Sequence, residues 1–117
     1  VNMAEAQIKI EEKIAGKKAV LQLTGELDAK TTPELKARLD AVVAAGVEAL
    51  LIDMARLTYI SSAGCGALNA TLKALKDKGG KLILSSLTKE VRDTMDLMFF
   101  TKRVAVYTNL AEGEKNL

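Results

Sequence analysis

Leu57-Thr58-Tyr59-Ile60-Ser61-Ser62-Ala63-Gly64-Cys65-Gly66 joins two segments of different character. Before it, Ala49-Leu50-Leu51-Ile52-Asp53-Met54 is apolar on both faces from Ala49 to Ile52, as a central strand would be. After it, the chain from about Ala63 to Lys78 places Cys65, Leu68, Leu72 and Leu75 on one helical stripe. Lys73, Lys76 and Lys78 leave that stripe for the solvated side, and Gly79-Gly80 ends the helix. The quoted stretch thus reads as a loop that becomes a helix, with two hydroxyls at the change. Side-chain oxygens are favoured there because they accept hydrogen bonds from N–H groups with no intrahelical partner. The same end carries partial positive charge and tolerates an anion such as phosphate. Ser61 or Ser62 is therefore a helix cap or a modification site.

Upstream, Ile8, Ile10 and Ile14 share one face at period two, although Glu12 interrupts it. Ala15-Gly16-Lys17 is a turn, and Ala19-Val20-Leu21-Gln22-Leu23 is a second strand. A short glycine-containing link between strands predicts an antiparallel hairpin. Thr32-Pro33 starts a helix with Pro at its tolerated first position. Leu35, Leu39 and Val42 form its apolar stripe, and Gly46 stops it. Asp28, in the preceding loop, is a natural local turn acceptor.

Downstream, Lys81-Leu82-Ile83-Leu84-Ser85 is a short buried strand. Thr88 to Met98 reads as a helix with Val91, Met95 and Met98 on one face. Val104-Ala105-Val106-Tyr107 is a last strand, and the tail from Leu110 to Leu117 is polar, at most a frayed helical turn. After the hairpin, strands alternate with helices, so the fold class is α/β with a mostly parallel sheet and right-handed crossovers. The first strand belongs at an edge. Asp28 and Ser61-Ser62 both follow strand ends, and such sheets bind at the carboxyl ends of their strands. Both should lie on that rim. The 117 residues suit a single domain over 1–117, with an ordered core over about 8–110.

Composition narrows the chemistry. The chain is 49% hydrophobic, so it has material for a core, but it contains only two Tyr, two Phe and no Trp. With 17 basic and 15 acidic residues, it lacks the basic excess and the stacking aromatics of a nucleic-acid surface. It contains no His, which removes Ser-His and Cys-His nucleophile systems. One Cys and no His cannot assemble a zinc site of the usual ligands, and the lone Cys65 fits a reducing compartment. No apolar run is long enough for a spanning helix, and Val1-Asn2-Met3 shows no signal pattern. A soluble cytoplasmic protein without metal or cofactor is expected.

Gly64-Cys65-Gly66 gives G-x-G after a strand, but Asn69 stands where a third Gly would be needed, and no P-loop Lys follows. Gly64 and Gly66 otherwise read as backbone room at the helix start. Cys65 falls on the apolar stripe and reads as packing. Asp53 is placed to pair with Arg56, structurally. Met98, Phe99 and Phe100 cannot easily all face inward from one helix end: either some of them form an exposed contact patch, or they cap the core under the last strand. No enzyme emerges. A phosphate on Ser62 would bring about 1.5 to 2 negative charges to a helix end that can carry them, and a docked partner would then have to desolvate the new charge.

Gly25-Glu26-Leu27-Asp28-Ala29-Lys30-Thr31, Leu51-Ile52-Asp53-Met54 and Tyr59-Ile60-Ser61-Ser62-Ala63-Gly64 together resemble the STAS domain family, and within it the bacterial anti-sigma factor antagonists. The resemblance spans about Ile8 to Leu110. It implies a STAS-type mixed sheet with an N-terminal antiparallel hairpin and helices packed on one face. It also implies a phosphorylation-switched binding module. Unphosphorylated, such a module sequesters an anti-sigma factor that is also a serine kinase, and so releases a sigma factor; a serine phosphatase resets it. By position the phosphoacceptor is Ser62, with Ser61 the lesser candidate. Asp28, Thr31, Ser61, Ser62 and Gly64 form the partner-binding set. The sequence departs from the family where Ser61 replaces a frequent Asp and Cys65 a frequent Leu. The competing expectation is a STAS scaffold that is not phosphorylated, either stressosome-like, associated with lipid transport, or binding a small ligand.

Overall fold

In a computed structural model that describes residues 7–117, five strands form one mixed sheet in the spatial order β1-β2-β3-β4-β5. β1 (Ile8–Ala15) and β2 (Lys18–Leu27) are the antiparallel hairpin, closed by Gly16 at φ 63°. β3 (Ala49–Ile60), β4 (Lys81–Ser85) and β5 (Ala105–Tyr107) continue the sheet in parallel. β1 is at the edge, as expected. α1 (Thr32–Ala44), α2 (Ser62–Asp77) and α3 (Lys89–Leu97) are the crossovers, and α4 (Leu110–Lys115) closes the chain.

Alternation along the strands builds the main core. Ala19, Leu21 and Leu23 of β2, Leu50, Ile52 and Met54 of β3, and Leu82 and Leu84 of β4 form one buried cluster with the helices. α1 contributes Leu35, Leu39 and Val42, α2 contributes Cys65, Leu68, Leu72 and Leu75, and α3 contributes Val91 and Met95. The predicted stripes of α1 and α2 are thus the buried ones. Lys78 fixes the two helices to each other, its Nζ donating to the Val43 carbonyl in the last turn of α1 at 3.0 Å. On β1 the apolar face fades toward the turn. Glu12 points along it and meets Arg38 of α1 at 3.4 Å, and Ile14 is exposed.

Four expectations are corrected. First, Leu57-Thr58-Tyr59-Ile60 is strand, not loop: β3 continues to Ile60. Its pairing with β2 advances by two residues against three between Gln22–Asp53 and Thr24–Arg56, and again by one against two between Gly25–Leu57 and Glu26–Tyr59. Two bulges therefore absorb two residues of β3. The buried positions run Leu50, Ile52, Met54, Leu57, Ile60, so the spacing changes from two to three, and a test for strict alternation ends the strand too early. Gly25 serves the second bulge at φ 118°, where a Cβ would run into the carbonyl of Gln7.

Second, α3 ends at Leu97, and Met98 lies outside its buried face. Third, Asp53 makes no ion pair with Arg56 among the described residues; its Oδ1 accepts from the hydroxyls of Ser85 at 2.7 Å and Ser86 at 2.6 Å. Fourth, the tail is a packed helix. Asn109 caps α4 by accepting from the Glu112 N–H at 2.8 Å, and buried Gly113 lies against Leu51 and Ser85. Leu51 and Ser85 alternate with the core residues Ile52 and Leu84, so α4 covers the sheet face opposite the other helices.

Candidate functional site

The last pairs of β2 and β3, Glu26–Tyr59 and Leu27–Ile60, bring Asp28 and Ser61 to adjacent strand ends. The Ser61 N–H donates to the Leu27 carbonyl at 2.8 Å, locking that adjacency. Ser61 then leaves the strand in an extended conformation (φ −91°, ψ 172°) and its Oγ accepts from the Gly64 N–H at 3.3 Å. It is the N-cap of α2. Its carbonyl also takes the Cys65 N–H at 3.1 Å.

Ser62 is therefore not the cap. It is the first helical residue, one position earlier than the sequence suggests, and it is exposed. The first turn of α2 carries no acidic side chain. Its uncapped N–H groups and macrodipole create a locally positive end beside an accessible hydroxyl.

Gly64 explains how the helix approaches so closely. A Cβ there would lie 2.7 Å from Ile60 Cγ1 and 3.2 Å from Leu27 Cβ. Gly66 differs: nothing lies within 4 Å of a Cβ at that position, so the expected need for room holds at Gly64 alone. Cys65 is buried, and burial pushes its thiol pKa up, which fits packing rather than reactivity.

The loop from Asp28 to Thr31 is a self-contained hydrogen-bonded turn. Asp28 Oδ1 accepts from the Lys30 N–H at 2.9 Å and the Thr31 N–H at 3.0 Å. The Thr31 hydroxyl donates to the Glu26 carbonyl at 2.7 Å, accepts from the Asp28 N–H at 3.0 Å and lies 3.2 Å from Asp28 Oδ1. The Thr31 N–H above all holds the Asp28 carboxyl below the ordinary carboxylate range, against partial desolvation. Thr31 is buried and Asp28 only half-buried. Of the five residues expected at this rim, then, Asp28, Ser61 and Ser62 reach its outer side, while Thr31 and Gly64 shape it from beneath. Sequence reasoning missed the tie between Ser61 and Leu27, because it depends on β3 continuing to Ile60.

A second surface lies at the end of α3. Leu97 is 80% exposed and Phe99 61%, whereas Phe100 is 2% exposed and joins the core. Of the two readings offered for Met98, Phe99 and Phe100, neither holds for all three: Phe100 caps the core, while Met98 and Phe99 are exposed beside Leu97.

The STAS domain model matches residues 5–113. BtrV of Bordetella bronchiseptica, provisionally named an anti-sigma factor antagonist, is 33% identical over 78 residues, covering 67% of each chain. The crystal structure of an anti-sigma factor antagonist from Mycobacterium paratuberculosis superposes with a TM-score of 0.85 at 26% identity, over 93% of this chain and 92% of that one. The anti-sigma factor antagonist SpoIIAA, in its unphosphorylated form, shares the fold at a TM-score of 0.76 and 20% identity, over 86% and 89%. Among the described residues no helix is long and apolar enough to cross a membrane.

Proposed function

The chain belongs to the STAS domain family, and from that premise we propose that it is an anti-sigma factor antagonist switched by phosphorylation. In its unphosphorylated form it occupies an anti-sigma factor that is also a serine kinase, and so frees a sigma factor in the cytoplasm. The kinase modifies Ser62, and a serine phosphatase reverses the change. The protein itself acts by binding and is not an enzyme.

One observation carries this proposal. Ser62 is exposed at the positive end of α2, while its neighbour Ser61 is committed to the cap. Of two adjacent hydroxyls, that of Ser62 is the exposed one and takes no part in the cap. A phosphate on Ser62 would sit where the helix tolerates it. It would also join the Asp28 carboxylate on the adjacent strand end, adding about 1.5 to 2 negative charges to the one that a docked partner must already desolvate. Asp28, Ser61 and Ser62 form the contact rim in this scheme, supported by Thr31 and Gly64.

The test is a binding assay with a serine-kinase anti-sigma factor from the same organism. The unmodified protein and Ser62→Ala should bind, Ser62→Asp should lose about tenfold or more in affinity, and intact mass should show one phosphate on the unmodified protein but none on Ser62→Ala. Equal binding by Ser62→Asp, or no phosphate on the unmodified protein, would rule out the switch.

A further inference from the structure

The face of the sheet opposite the three large helices holds a cleft of about 420 Å³. Glu11, Thr24, Asp53, Arg56, Ser86 and Leu110 of α4 line it. It arises because α4 covers this face only near β3, β4 and β5, leaving the outer side of β1 and β2 open. Its volume lies within the range of small-molecule sites, which combine a concave wall with a few fixed polar groups.

Asp53 gives the cleft its chemistry. It is only 5% exposed, yet its partners are two neutral hydroxyls, those of Ser85 and Ser86, both on the same oxygen, Oδ1. No cation stands within ion-pairing distance of it among the described residues, although Arg56 lines the same cleft. A buried carboxylate is ordinarily matched by a positive group, because hydroxyl donors offset only part of its desolvation. The two hydroxyls hold the group rigidly, Ser86 doing so from a left-handed backbone conformation at φ 62°. Glu11 adds a second carboxylate at the rim, in a loose and solvent-exposed pair with Lys9 at 3.8 Å.

We propose that this cleft binds a compact organic cation, a primary amine or guanidine, whose charged end pairs with Asp53 and whose approach is assisted by Glu11. The site lies on the sheet face opposite α2, whose N-terminus carries Ser62, and uses none of the rim residues.

Agmatine, which carries one amine and one guanidine, is a suitable probe, with N-butylurea as a neutral counterpart. Titration into the ¹⁵N-labelled protein should shift the amides of Thr24, Asp53 and Ser86 saturably at millimolar concentration or below, about tenfold more tightly for agmatine than for N-butylurea. Asp53→Asn should remove that preference. Should Asp53→Asn unfold, Glu11→Gln, a change at an exposed edge-strand position, should weaken agmatine about threefold or more. The idea is overturned by the absence of saturable shifts up to about 10 mM, by equal response to the neutral probe, or by unchanged affinity in the variants.

Discussion

Gly64 and Ile60 stand so close that a single added methyl would lie 2.7 Å from Ile60 Cγ1. That carbon is near the root of a buried side chain, so it cannot swing clear. Gly64→Ala is expected to destabilise the protein by about 1–3 kcal/mol through overpacking. Gly66→Ala, where the space is open, should stabilise it by about 0.5–1 kcal/mol by raising helix propensity. Urea denaturation of the two variants checks the opposite signs; two shifts of the same sign would contradict the packing argument.

Ser61 and Ser62 should separate stability from binding. Ser61→Ala removes the cap and is expected to lower stability by about 0.5–2 kcal/mol. Ser62→Ala, on an exposed hydroxyl, should stay within about 0.5 kcal/mol of the unmodified protein. Thermal unfolding measures both. A large loss from Ser62→Ala would mean that Ser62 supports the helix after all.

Thr31→Val keeps the shape and removes a hydroxyl with three polar neighbours. The Glu26 carbonyl loses its donor in a part-buried setting, for a loss of about 1 kcal/mol or more. Thr31→Ser retains the hydroxyl and should recover most of that loss. If valine and serine behave alike in denaturant, the hydroxyl network is not what holds the loop.

Asp28 links the loop to pH. Its folded pKa lies below the ordinary carboxylate range, chiefly through the Thr31 N–H. The folded state therefore binds this proton less readily than the unfolded state. The resulting stability is fully present above the ordinary carboxylate pKa and is lost as pH falls through the lowered value. Asp28→Asn should flatten that acid limb of a stability-against-pH curve while leaving the neutral region's slope unchanged. An unaltered limb would show that other carboxylates set it.

Phe99 occupies a left-handed conformation at φ 59°, with Lys102 Nζ 5.7 Å from the ring centroid. An aromatic residue is disfavoured there, and Asn tolerates it better. Phe99→Asn is expected to be neutral or to stabilise by up to about 1 kcal/mol, a net of relieved strain and a lost weak cation–π contact. A clear fall in the thermal midpoint would show that the ring holds the corner together.

Where burial follows a simple period, the sequence revealed the fold. Leu35, Leu39 and Val42, or Leu68, Leu72 and Leu75, could be read directly as buried stripes, and the hairpin and parallel order followed from turn residues and alternation. What escaped was set by departures from period. The bulges in β3 hid its last residues, and with them the Ser61–Leu27 tie that fixes the rim. The final helix escaped for another reason. Its sequence is polar, and its place is secured by one buried glycine against Leu51 rather than by an apolar stripe. Likewise, Asp53 offered only Arg56 as a partner in sequence, and only folding brings Ser85 and Ser86 to it.

β4 pairs with β3 only from Ala49 to Asp53, and β1 reaches β2 only as far as Gly25. The final two pairs, Glu26–Tyr59 and Leu27–Ile60, therefore have no third strand beside them among the described residues. This end of the β2–β3 pair, which carries the rim, is held by the side chains of Leu27 and Ile60 in the core and not by further strand pairing. Its amides should exchange with solvent faster than those of Leu50 to Ile52 in the same strand, so β3 would be rigid at one end and compliant at the other. The rim would then rest on side-chain packing at one end of β3, while strand pairing on both sides holds the other end.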